Sequence, residues 1–272
     1  MRRTFSIASI IIATIVVLAS CNMGNKKSSE QKAPEIKKEI VEKEVREFVY
    51  PLPTSFEVTE MLNRIEASYI LSLSNPVSNV DKYFTEKNQA LNLGIYSADL
   101  SYASTYNQKQ ETVDFMNASK KLIDKLDISA ALDKDLLTTI ENNLDNKDQM
   151  VDVITNSFYD TYEYLNKNDR SSVSMLVIAG SWVEALYIST HISEDTFNNR
   201  EMVSIIMEQK EPLNKLMTIL KEHATNEDVK ATIEDLKILN EIYNSIDSGS
   251  ITQDQLKAIE DNVAVVREKF VS

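Results

Sequence analysis

From Ser171 to Ser193 the chain reads SSVSMLVIAGSWVEALYISTHIS, with one acidic residue, Glu184, and no Lys or Arg. At about 100° per residue, Met175, Ile178, Trp182 and Leu186 share one face of a helix, and Val173, Leu176, Val177, Gly180 and Val183 cover much of another. Ser174, Ser181, Ala185 and Ser189 form a seam of small residues. A helix apolar nearly all round is buried in a protein or in a membrane. The six serines, the acid and His191 point to a protein interior. Gly180 sits mid-helix, where Gly costs about 1 kcal/mol relative to Ala. Its presence predicts close approach of a neighbouring backbone.

A second stretch, Asn88 to Gln108, carries only Asp99 as a charge. Ala90, Gly94, Ser97, Ser101 and Ser104 fall on one narrow arc, and Asn92, Tyr96, Asp99, Tyr102 and Tyr106 on the opposite one. This too reads as a buried helix with an internal Gly and one carboxylate. The remaining chain is helical in texture, with no period-2 strand and four glycines in all. Thr54…Glu57 reads as a capping box opening a helix that runs to Ser74, stopped by Asn75-Pro76. Further helices are expected over 86–107, 109–126, 132–145, 147–167, 171–192, 195–221 with a kink at Pro212, 226–246 and 252–270. Asp135, Asp228 and Asp254 suit the first turns of their helices. Gly249 reads as a turn. The fold class is all-α, a multi-helix bundle of about nine helices forming one domain over 51–272.

The two glycine stretches also align. Gly94-x-Tyr96 matches Gly180-x-Trp182, and Glu111-x-Val113-x-Phe115-Met116 matches Glu201-x-Val203-x-Ile205-Ile206. Asp135…Thr139-Ile140-Glu141 matches Asp228…Thr232-Ile233-Glu234 in the same order. The pattern predicts a duplicated helical unit over 84–167 and 171–246 whose two glycine helices pack through their small faces, related by a pseudo-twofold.

The amino terminus is a different kind of segment. Arg2 and Arg3 precede an apolar run from Phe5 to Ala19, followed by Leu18-Ala19-Ser20-Cys21. These four residues resemble the lipobox of bacterial lipoprotein precursors. The resemblance implies a signal peptide over 1–20, cleavage before Cys21, a diacylglyceryl thioether on its sulfur and an acyl chain on its amine. It covers residues 1–21 and carries no activity for the remainder. Cys21 is the sole cysteine, so the mature chain is expected to have no thiol chemistry and no disulfide. Loss of Arg2 and Arg3 takes the net charge from −13 to −15, a poor match for nucleic acid or anionic lipid. Several acyl chains give stable attachment to a membrane. Asn22, rather than Asp, favours the outer membrane of a Gram-negative bacterium, facing the periplasm. Residues 21–50, polar and then rich in Lys and Glu, read as a tether with a reach of about 95 Å when extended. Pro51 and Pro53 mark its end.

No HExxH, ExxH, P-loop or Gly-rich dinucleotide turn is present, and two histidines make a zinc site improbable. Asn166–Arg170 lacks the Gly and Glu of an EF-hand loop. No cofactor or metal is expected. One constellation remains: Asp99 with Tyr96, Tyr102 and Tyr106, and Glu184 with Tyr187 and His191. If the two arcs converge, they either line an aromatic cavity for a small ligand or form a closed network with Tyr hydroxyls and an arginine, Arg64, Arg170 or Arg200. The closed network is favoured. His191 and His223 suit helix ends. The sequence therefore points to a lipid-anchored, non-catalytic helical domain that binds a partner protein or ligand. Its alternatives are a sensor using the Tyr/Asp/Glu cavity and, last, an acid–base enzyme.

Overall fold

The structure, a computed structural model, describes residues 55–132, 135–246 and 250–272. The lipobox with Cys21, the tether, Pro51, Pro53, the Thr54 cap and the Gly249 turn lie outside the described residues. Among the described residues ten α-helices form an all-α bundle: α1 Ser55–Arg64, α2 Glu86–Thr105, α3 Lys109–Lys125, α4 Leu136–Asn143, α5 Lys147–Lys167, α6 Ser171–His191, α7 Arg200–Glu208, α8 Lys210–Glu222, α9 Glu227–Ser245 and α10 Gln253–Val271. Four short 3₁₀ segments join them, and no strand occurs among the described residues.

Starts and stops have local causes. Thr85, Asn146, Asn199 and Asn226 each accept a backbone N–H of the first helical turn, and Thr252 with Gln255 forms a capping box. Glu66, Asn107, Asp127 and Asp169 have positive φ and end α1, α2, α3 and α5. In each case the next residue's N–H reaches back five residues, as from Gln108 to Ala103 O at 2.9 Å and from Ala67 to Leu62 O at 3.1 Å. This is the Schellman stop, made here without glycine. It corrects the expected first helix, which ends at Arg64 rather than Ser74. At the kink expected from Pro212 the helix is interrupted at Gln209, whose backbone stays in the right-handed helical region. Pro212 has no N–H to bond the Glu208 carbonyl one turn earlier and crowds it.

α6 runs through the middle of the bundle, buried from Val173 to Thr190 except at Tyr187. It is the one helix among the described residues long and apolar enough to cross a membrane, and it lies inside the fold. Its most extensive contact is with α2. A Cβ on Gly94 would sit 1.9 Å from Val177 O, and one on Gly180 would sit 1.9 Å from Leu91 O. Each glycine thus meets the carbonyl three residues before the other. That reciprocity is what a pseudo-twofold between the glycine helices requires. Around this crossing, α2 and α6 each pack against both α5 and α10.

Candidate functional site

The polar arcs of α2 and α6 face the same side of the crossing, where α10 and the irregular connection 65–85 cover them. Asp99 and Glu184 are both 0% exposed and lie within hydrogen-bonding reach of each other. Glu184 is held by Arg267 of α10, whose Nε donates to Oε2 at 2.6 Å and whose Nη2 donates to Oε1 at 2.7 Å. The same Nη2 donates to Leu73 O at 2.9 Å. The guanidinium lies 4.2 Å from the centre of the Tyr187 ring, and Tyr187 stacks on His191 at 4.1 Å.

The two acids act on each other electrostatically. Burial, reinforced by the charge of Glu184, holds the Asp99 carboxyl well above the ordinary carboxylate range, against the pull of Arg267. Burial raises Glu184 as well, but its strongest opposing influence is the Arg267 charge in direct contact. The consistent assignment is Arg267 cationic, Glu184 ionised and Asp99 neutral. Asp99 Oδ2 accepts the Asn75 N–H at 3.1 Å, while Oδ1 is buried with no partner among the described atoms. Burial also holds His191 below its ordinary pKa, in the neutral form, with Nδ1 2.9 Å from Tyr187 O.

Two of the tyrosines, Tyr96 and Tyr102, end on backbone, whereas the buried Tyr106 hydroxyl has no partner among the described atoms. Tyr96 donates to Pro76 O at 2.9 Å, and Tyr102 Oη accepts the Ile70 N–H at 2.8 Å. Asn92 donates to Phe270 O at 2.7 Å. Tyr106 and Tyr102 pack against Tyr69 with ring centres 5.7 and 4.6 Å apart. The structure thus brings the sequence-derived residues together, Tyr96, Asp99, Tyr102 and Tyr106 with Glu184, Tyr187 and His191. The alternative of an open aromatic cavity there is corrected: Tyr96, Asp99, Tyr102 and Glu184 have no exposed surface. Their polar groups satisfy backbone groups of the connection that its two short 3₁₀ turns leave over.

The arginine was not among the three expected. Arg170 instead donates to Leu126 O and Glu86, and Arg64 and Arg200 are exposed. Arg267 had a signal: it falls on the flank of the apolar stripe Leu256, Ile259, Val263, Val266, Phe270, where a charge is out of place. Asn75 and Tyr69 had none.

A second feature lies on the other side of α2. A cavity is lined by residues of all six helices α1 to α6, with Ser97, Ser101, Ser119, Phe158 and Ser181 among its walls. About 690 Å³ of atom-free space lies there, mouth included, of which about 60 Å³ admits the centre of a water molecule. The small-residue seams of the two glycine helices supply part of its wall. No group of His, Cys, Asp and Glu suited to a metal occurs among the described residues.

No protein-family model matches this chain, and neither the curated proteins nor the solved structures contain a significant match.

Proposed function

We propose that the chain is a lipid-anchored protein of the bacterial cell envelope, probing its surroundings on a tether through a non-catalytic helical domain that binds a partner protein or a small ligand. The observation that carries the reading is the pairing of Glu184 with Arg267 beneath the 65–85 connection. The two buried acids are committed to each other, to Arg267 and to the Asn75 backbone, so the most titration-prone groups serve the fold. The space that opens on the other side of α2 has no titratable residue in its wall. Such a wall suits retention of a molecule rather than proton transfer. The Leu18–Cys21 resemblance and the polar tether support the anchored half of the reading.

Two measurements test it. Cells fed an alkyne fatty acid should label the full chain, and Cys21→Ser should abolish the label and move the protein from the membrane to the soluble fraction. Unchanged labelling overturns the anchor. Native mass spectrometry of the protein extracted from the envelope should show a bound partner or small molecule. A bare chain that instead turns over an envelope substrate overturns the binding reading.

A further inference from the structure

Protein interiors are packed to the density of organic crystals, so a void walled by side chains from six helices needs a reason. The cavity beside α2 has eighteen lining residues, none of them charged and none Tyr or His. Half of its eight hydroxyls are spent within their own helices. Ser97 donates to Leu93 O at 2.7 Å, Ser101 to Ser97 O at 2.9 Å, Ser157 to Val153 O at 2.7 Å and Thr161 to Ser157 O at 2.8 Å. Groups bonded in this way present a wall that is mostly apolar. Ser119 of α3 differs. It lines the cavity, it is 4% exposed, and its Oγ has no hydrogen-bond partner. A buried hydroxyl left unpaired is costly, and a group delivered into the cavity would satisfy it. The half-buried Leu132 and Phe158, with Ser55 at the start of α1, also line it.

We infer that this cavity binds a neutral, slender, largely apolar molecule carrying one hydrogen-bonding group, such as an unbranched aliphatic alcohol, with Ser119 as its polar contact. A charged head group is excluded from the interior because no counter-charge lines it and burying a bare ion is prohibitive. A branched or fused-ring ligand is excluded by the narrow inner space. The inference deepens the binding reading above and rests on it.

The probe is 1-octanol, with octanoate as the charged comparison. The protein is the mature chain, residues 21–272, made without acylation so that no acyl chain competes. By isothermal titration, 1-octanol should bind at one saturable site and raise the unfolding temperature, and octanoate should bind at least tenfold more weakly at pH 8. Ser119→Ala removes the hydrogen bond and should weaken 1-octanol about fivefold to tenfold. Ser119→Leu fills the space and should abolish binding; if its circular dichroism shows that it does not fold, Ser97→Leu fills it from the α2 side. No saturable octanol binding, equal binding of octanoate, or binding untouched by both the Ala and the filling substitutions each overturns the inference. The outcomes separate from the parent reading: a partner found by native mass spectrometry sustains that reading even where octanol fails.

Discussion

Gly94 and Gly180 occupy each other's space: a side chain on either would strike the backbone of the other's helix, at Val177 O or at Leu91 O, at 1.9 Å. α2 and α6 therefore touch through bare backbone. This contact sets the distance between the two helices from which every other element is hung.

On an exposed helix, Gly→Ala stabilises by about 1 kcal/mol. Gly94→Ala and Gly180→Ala should do the reverse, each costing about 3 kcal/mol, because the clash is with backbone and only separation of the helices relieves it. The double variant should cost less than the sum, since one separation accommodates both methyls. Urea unfolding checks the sign and the coupling; stabilisation by either alanine would refute the packing.

Arg267 neutralises Glu184 and bonds the Leu73 carbonyl. Arg267→Met should cost about 3–5 kcal/mol, because it strands a buried carboxylate. Arg267→Lys should recover only part, since an ammonium cannot make both parallel bonds. The Met variant should regain stability as pH falls and Glu184 takes up a proton. Denaturant unfolding at pH 5 and pH 8 checks both.

Asp99 gives a pH dependence with a definite sign. Its folded pKa is raised by burial and by Glu184, so the native state keeps a proton that the unfolded chain releases. Its contribution is fully present below the ordinary Asp value and declines as pH rises toward the folded value. Asp99→Asn keeps an acceptor for the Asn75 N–H and a donor for Glu184 but does not titrate. The stability of Asp99→Asn relative to the native protein should therefore increase with pH from about 4 upward. A difference that shrinks over that range would mean that Asp99 is ionised in the fold.

The connection 65–85 depends on side chains for its backbone bonds. Tyr102→Phe should leave the Ile70 N–H without its acceptor, at a cost of about 1–3 kcal/mol. Tyr96→Phe should cost less, because the Pro76 carbonyl keeps the Asn79 N–H at 2.9 Å. Hydrogen exchange should show the Ile70 amide opening faster in Tyr102→Phe while α6 amides keep their protection. Unchanged exchange at Ile70 would count against the clamp.

The legible part of this protein was local. Helical periodicity gave the all-α class and both buried helices. Gly94 and Gly180, each expensive in mid-helix, announced a close backbone contact, which the two helices make with each other. Asp99 and Glu184 were recognisable as a constellation because a lone acid in an apolar helix requires a partner. The stops were less legible: Glu66, Asn107, Asp127 and Asp169 take the left-handed conformation usually assigned to glycine, so the first helix was expected to run too long.

What the sequence by itself determined, then, was which residues are buried on which helix, because side-chain direction along a helix repeats every few residues. Only the tertiary structure decided what meets them. Glu184 and Arg267 lie 83 residues apart, and Asn92 reaches Phe270 across 178. The serine seam faces a cavity that Ser119 of α3 also lines. Such pairings depend on how helices are placed in three dimensions, and periodicity along one helix carries no record of its neighbour.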